Sequence, residues 1–241
     1  MSLLVFPSAD ELARHAAASF VRHAAAAIAS HDRFAVVLSG GSTPRIVFRK
    51  LASDEFAPQV DWSNVHFFWG DERAVPPDHP DSNFRLAQEH LLAPLGIPDS
   101  NIHRIESERP PDEAAARYDA DLTAFFGDGP RRFDLVHLGL GEDGHTASLF
   151  PDTVALGETQ ARVVANAVPR LQTTRITFTA PLINAARAVE FFVTGASKAL
   201  VLREVLFGEN HHYPSQMICP KDGTLTWLVT ADAAAELPKQ G

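Results

Sequence analysis

Apolar and polar positions along this chain form two alternating kinds of segment. Short, unbroken apolar runs end in glycine or in charge. Between them lie longer stretches with a helical stripe. FAVVLSGGSTP (Phe34 to Pro44) reads as a strand followed by a glycine turn. VHFFWGDER (Val65 to Arg73) reads as a second buried strand ending in charges. FDLVHLGL (Phe133 to Leu140), VEFFVTG (Val189 to Gly195) and TLTWLVT (Thr224 to Thr230) are further runs of this kind. Runs without polar alternation predict strands covered on both faces. Ile102 to Ile105, ARVVANAV (Ala161 to Val168) and RITFTA (Arg175 to Ala180) read as shorter strands.

The intervening stretches predict helices. Asp10 to Ser30 is alanine-rich, with Leu12, Phe20, Val21 and Ile28 forming a core-facing stripe. Ser8 followed by Glu11 is a capping-box pattern at its start. Ile46 to Ser53, Ser82 to Leu92, Asp112 to Phe126 and Ser197 to Leu206 are the other helices, with a helical turn over Pro181 to Ala186. Strands alternating with helices predict an α/β fold. Its sheet is open and mostly parallel, with helices on both faces, in the Rossmann-like manner. No repeat of fixed period occurs, and the prolines from Pro76 to Pro80 read as a loop rather than a linker. A single domain over residues 1–241 is expected.

Composition narrows the classes. The chain has 241 residues, 45% hydrophobic and 21% charged, which suffices for a sizeable core. A net charge of −9 argues against a general nucleic-acid partner. An anionic small molecule stays compatible, because a few local cations and backbone N–H groups can hold it. The one cysteine, Cys219, permits no internal disulfide and suits a reducing cytoplasm. Beside Met217, Ile218 and Pro220 it is expected to be a small buried hydrophobe. The first residues lack a signal-peptide pattern, and no apolar run approaches a membrane span. A cytoplasmic location without a membrane partner is therefore expected.

Leu138 to Pro151, LGLGEDGHTASLFP, narrows the chemistry most. An apolar strand breaks at Gly141 and presents Glu142, Asp143 and His145 around Gly144. Open α/β sheets place reactive groups at strand carboxyl ends in this order. A carboxylate two residues before a histidine can orient the imidazole for proton transfer. The tripeptide alone also fits a solvated polar turn.

Ser39-Gly40-Gly41-Ser42-Thr43-Pro44 lies between a strand and a helix. Its glycines, hydroxyls and free helix-start N–H groups suit a phosphate. The lysine of a Walker A loop and the GxGxxG spacing are both missing, and a tight turn with a capped helix fits equally well. In Gly70-Asp71-Glu72-Arg73, Arg73 could meet an oxyanion or a phosphate. Asp71 could hold that arginine, bind a hydroxyl or assist the histidine; a surface ion pair is the plainer alternative. Asp81-Ser82-Asn83 fits a helix N-cap. Arg175 opens a strand and Lys198 starts a helix, at boundaries where loops gather over a site. His211-His212 is not spaced for metal on one helical face. CxxC, HxH and HExxH are all missing, so no metal site is expected.

Together these segments resemble the 6-phosphogluconolactonases of the glucosamine-6-phosphate isomerase/6-phosphogluconolactonase family. SGGSTP, WGDER, DSN, LGLGEDGHTASLFP and RIT…NAAR stand in the family's order and span nearly the whole chain. The related glucosamine-6-phosphate deaminases share the glycine loop and the DGH turn but continue with a glutamate-containing FNEP-type segment. Here Ser148-Leu149-Phe150-Pro151 stands instead, without an acid. Pro169 to Thr174, before Arg175, is less proline-rich than the family's pattern.

The resemblance implies hydrolysis of 6-phospho-D-glucono-1,5-lactone to 6-phosphogluconate in the oxidative pentose phosphate pathway. It implies His145 activating water, with Asp143, Arg73 and Asp71 as catalytic partners. Gly40, Gly41, Ser42, Thr43, Asn83, Arg175 and Lys198 would bind the substrate and its phosphate. No cofactor, metal or covalent intermediate is implied; Ser42 and Ser148 lie outside any GxSxG elbow. The phosphosugar lactone is the partner expected, and a monomer is favoured. The rival readings are a deaminase or aldose–ketose isomerase on the same fold, and a non-catalytic phosphosugar-binding module. The latter would usually carry a basic DNA-binding segment, and none is read here.

Overall fold

The computed structural model describes residues 1–127, 129, 131–209 and 212–238. His211 lies outside the described residues. In chain order the elements are β1 (Ser2–Phe6), α1 (Ala9–His31), β2 (Phe34–Leu38), α2 (Ser42–Leu51), β3 (Val65–Trp69) and β4 (Asp71–Arg73). They continue with α3 (Asn83–Ala87), α4 (Ala93–Leu95), β5 (Ile102–His103), α5 (Pro111–Phe126), β6 (Leu135–Gly139), β7 (Val163–Val168) and β8 (Thr173–Phe178). The last are α6 (Ala180–Asn184), β9 (Ala188–Val193), α7 (Ala199–Phe207) and β10 (Thr224–Thr230).

Seven strands form one sheet in the order β1-β10-β9-β6-β2-β3-β5. Every pairing in it is parallel. β2 and β9 are buried at every residue, as a parallel sheet covered on both faces requires. Alternation along β3 shows the two faces. Phe67 stacks with Trp62, which meets Phe20 of α1. Phe68, on the opposite face, packs on Phe125 and Phe126 of α5.

Residue chemistry starts and stops the helices. Ser8 Oγ accepts the Glu11 N–H at 3.2 Å and caps α1. Asp32, in the left-handed conformation, ends it by donating its N–H to Ile28. α2 begins at Ser42, earlier than the apolar pattern suggests, so Ser42 and Thr43 form its first turn. The stretch after Ser82 is α3 and α4 joined through a π-helical turn at Gln88–Leu92.

Two strands depart from expectation as well. Val65 to Arg73 is not one strand. It breaks at Gly70, whose N–H donates to Leu38 at 3.1 Å and whose carbonyl accepts from Phe178 at 2.8 Å. Beyond this point β4 joins a separate antiparallel sheet of order β4-β8-β7. β1 was not among the predicted elements. It pairs only with β10, at the sheet edge, and half-exposed edge strands carry weak patterning.

Chain direction sets the site. From β2 the chain runs outward to β3 on one side, whereas from β6 it reaches β9 on the other. β2 and β6 are neighbours. Their carboxyl ends therefore flank the crevice where strand order reverses, the place where open α/β sheets bind ligands. Among the described residues no helix is long and apolar enough to cross a membrane.

Candidate active site

The turn after β6 brings Asp143 and His145 together locally. His145 Nδ1 lies 2.5 Å from Asp143 Oδ1. The same oxygen accepts the His145 backbone N–H at 3.2 Å. A carboxylate only accepts, so Nδ1 carries the proton and Nε2 the lone pair. Gly141 makes the close approach possible: a Cβ there would fall 2.0 Å from His145 Nδ1. Phe150 stacks on the imidazole, with centroids 4.2 Å apart and planes 30° apart. Arg170 forms an ion pair with the other Asp143 oxygen, and its guanidinium lies 5.0 Å from the Phe150 centroid. Burial pushes the His145 imidazole down to about 4. The Asp71 carboxylate opposes this, while Lys198, Arg175 and Arg73 reinforce it. The imidazole is therefore neutral at physiological pH.

Two cavities that share lining residues meet at His145. The larger, about 470 Å³, is lined by Arg73, Asp143, Arg170, Arg175 and Phe150 among others. The smaller, about 220 Å³, is lined by Gly40, Gly41, Asn83, Lys198 and the Gly139–Gly141 backbone among others. Asp71, Arg73, His145 and Ala147 line both, at their junction. Ala147 holds φ at +46°, a left-handed conformation costly for a residue with a Cβ.

Asp71 reaches the junction from β4. Its Oδ2 accepts the Ser148 hydroxyl at 2.6 Å, and Asn83 Nδ2 lies 3.4 Å from Oδ1. It forms no ion pair with Arg73, whose guanidinium donates instead to the Asp81 carbonyl. Arg73 and Arg175 are partners in the β4–β8 ladder. Burial and the neighbouring Arg73 both push Arg175 below its ordinary value. The Nε atoms of both arginines are buried without a protein partner. Lys198 Nζ sits 3.9 Å from Glu142 Oε1; burial pushes the ammonium down and Glu142 opposes it.

The structure thus brings His145, Asp143, Arg73, Asp71, Gly40, Gly41, Asn83, Arg175 and Lys198 around one cleft. Ser42 and Thr43 line neither cavity. Ser42 is exposed, and the Thr43 hydroxyl is bonded to that of Thr194 at 2.7 Å. Ser82 caps α3 by accepting the Arg85 N–H at 3.1 Å. Cys219 is exposed rather than buried, because Ile218 takes the inward position. Sequence reading passed over Arg170; its only local signal is a charge in the loop preceding Arg175. Among the described residues no cluster could hold a metal ion.

Residues 7–227 match the model of the family described as glucosamine-6-phosphate isomerases/6-phosphogluconolactonase. The chain belongs to this family. A 6-phosphogluconolactonase of Aggregatibacter actinomycetemcomitans is 39% identical over 236 residues, covering 97% of this chain and 99% of that protein. One from Nostoc is 44% identical over 211 residues, covering 85% of each. The solved 6-phosphogluconolactonase of Trypanosoma brucei superposes with a TM-score of 0.86 at 28% identity, covering 98% of both chains. A monomeric glucosamine-6-phosphate deaminase, at 19% identity and a TM-score of 0.80, shares the fold. Within the family, then, the chain keeps the mostly parallel α/β sheet and places its DGH turn beside the glycine turn.

Proposed function

We propose that this chain is a 6-phosphogluconolactonase, hydrolysing 6-phospho-D-glucono-1,5-lactone to 6-phospho-D-gluconate in the oxidative pentose phosphate pathway. The observation that carries the reading is the neutral His145 imidazole, held by the Asp143 carboxylate, at the junction of two cation-lined cavities. Relatives bearing that name, aligned over nearly the whole chain, support it.

His145 Nε2 takes a proton from water as the water oxygen bonds to the lactone carbonyl carbon. Asp143 holds Nδ1–H and steadies the imidazolium that forms. The tetrahedral oxyanion then collapses, the bond from carbon to ring oxygen breaks, and that oxygen takes the proton back from Nε2. The product acid ionises. One water is consumed, and no covalent enzyme intermediate arises. The smaller cavity suits the phosphate: Lys198 supplies charge, and the backbone at Gly40 and Gly41 leads into the α2 N-terminus, which no side chain caps. The larger cavity suits the sugar ring. Arg73, lining both, neutralises charge at the junction.

The deaminase alternative loses support at the same turn, because Phe150 and not a carboxylate covers the imidazole. A single cysteine accords with a cytoplasmic enzyme.

The test is lactone decay, with lactone generated in place from glucose 6-phosphate and compared with the spontaneous rate at mildly acidic pH. Acceleration by the wild type that is lost in folded His145→Ala is expected. No acceleration would overturn the lactonase reading, and full turnover in His145→Ala would remove that residue from the mechanism.

A further inference from the structure

Glu72 stands between Asp71 and Arg73 on β4 but lines neither cavity. Strand alternation turns it to the opposite face. It is only 1% exposed. A carboxylate so buried needs all its lone pairs engaged, and here they are. Oε1 accepts the backbone N–H groups of Arg73 and Asn83, both at 2.8 Å. Oε2 accepts the Phe84 N–H at 2.8 Å and the Ser82 hydroxyl at 3.0 Å.

These bonds staple β4 to residues 82–84 and close the loop between them. Two links then lead back to the cleft. The Asp81 carbonyl, next to Ser82, receives the Arg73 guanidinium. Asn83 Nδ2 donates to the Asp71 carbonyl at 2.9 Å and reaches its carboxylate at 3.4 Å. Asn83 also abuts the glycine turn: a Cβ on Gly40 would come 1.7 Å from Asn83 Oδ1. One buried carboxylate therefore sets a scaffold that spaces Arg73, Asp71 and the glycine turn.

We propose that Glu72 is a positioning residue for substrate binding, fixing the aim of Arg73 and the seat of Asn83 on Asp71 through the 81–84 turn. The proposal rests on the lactonase reading. The plainer alternative is that Glu72 only caps α3 and contributes stability.

Glu72→Gln separates them. The amide keeps one acceptor oxygen but turns an NH₂ group toward the Phe84 N–H. We expect KM for the lactone to rise about tenfold while kcat changes less than about threefold. In an Arg73→Ala background the same substitution should raise KM by a smaller factor than in the wild type, because one of the two groups being positioned is gone. A purely structural role would lower the melting temperature and leave KM unchanged, or shift it equally in both backgrounds; either result overturns the proposal. Should Glu72→Gln fail to fold, Ser82→Ala removes one of the four bonds, and a KM rise of about threefold with the same background dependence is expected. The comparison is repeated on the Kd of 6-phosphogluconate. If the wild type shows no lactone hydrolysis, the reading of function fails, while weakening of that Kd, or its constancy, still decides the role of Glu72.

Discussion

Arg73 and Arg175 stand directly opposite each other in the antiparallel β4–β8 ladder, both half-buried. Like charges so placed destabilise a sheet. Both Nε–H groups lack protein acceptors, so the pair suits an anion. Two opposite effects follow for Arg175→Met. The ligand-free protein should gain about 0.5 kcal/mol through lost repulsion. The thermal stabilisation conferred by 6-phosphogluconate should shrink, with KM rising at least about tenfold. Melting curves with and without 6-phosphogluconate check both. An unchanged ligand-induced shift would place the anion away from Arg175.

Asp143 serves two partners, His145 Nδ1 and Arg170. Asp143→Asn should lower kcat by about 100-fold or more, because the amide no longer selects the tautomer with its lone pair on Nε2. Arg170→Met leaves the carboxylate in place and should cost about tenfold or less. Turnover of the two folded variants at saturating lactone tests this order. Equal losses would mean that the arginine, not the carboxylate, sets the imidazole.

Acid should inactivate the enzyme late. Burial holds the His145 imidazole down to about 4, and the base works only when neutral. The acid limb of kcat/KM should therefore appear as pH falls toward about 4, not near an ordinary histidine value of about 6.5. The Asp71 carboxylate raises this value, so Asp71→Asn should move the limb lower still. The pH profile of kcat/KM checks both. A wild-type midpoint near neutrality would contradict the burial argument.

His137 and Glu190, a register pair on the central strands β6 and β9, titrate inside the core. Glu190 Oε1 accepts the Ser19 hydroxyl at 2.6 Å, and Oε2 lies 3.8 Å from His137 Nε2. Burial pushes Glu190 up to about 7, opposed by Ser19 and Arg22. Its acid form favours the fold, so stability should fall as pH rises from about 4.5, the unfolded value, through about 7. Burial pushes His137 down to about 3, with His23 adding to the effect. Its neutral form favours the fold, so that contribution is lost as pH falls below about 6.5. Glu190→Gln should flatten the neutral slope and gain on the wild type above pH 7. Melting temperatures between pH 5 and 8 measure this, and an unchanged slope would exclude Glu190 as its source.

How much of this was legible in the chain depends on range. Asp143 and His145 are two residues apart, and their pairing follows from one glycine turn. The buried strands β2, β6 and β9 are apolar runs, readable because a parallel sheet covered on both faces tolerates little else. Ser8 and Ser82 announce their helices because capping is a contact across three residues. β1 and the break at Gly70 were not legible. An edge strand lacks full burial, and a change of sheet leaves the apolar run before it intact.

The local order of strand, turn and helix, the pairing of Asp143 with His145 and the glycine turn were determined by sequence alone, because propensity, capping and periodicity act over a few residues. Only the tertiary structure decided which turns meet. Ser148 reaches Asp71 across 77 positions, and Gly40 shares a cavity with His145 because β2 and β6 are neighbours where strand order reverses. It also turned Glu72 inward, removed Thr43 from the cleft and set Arg175 against Arg73. Strand pairing is chosen by the burial of faces far apart in the chain, and no local pattern carries that choice.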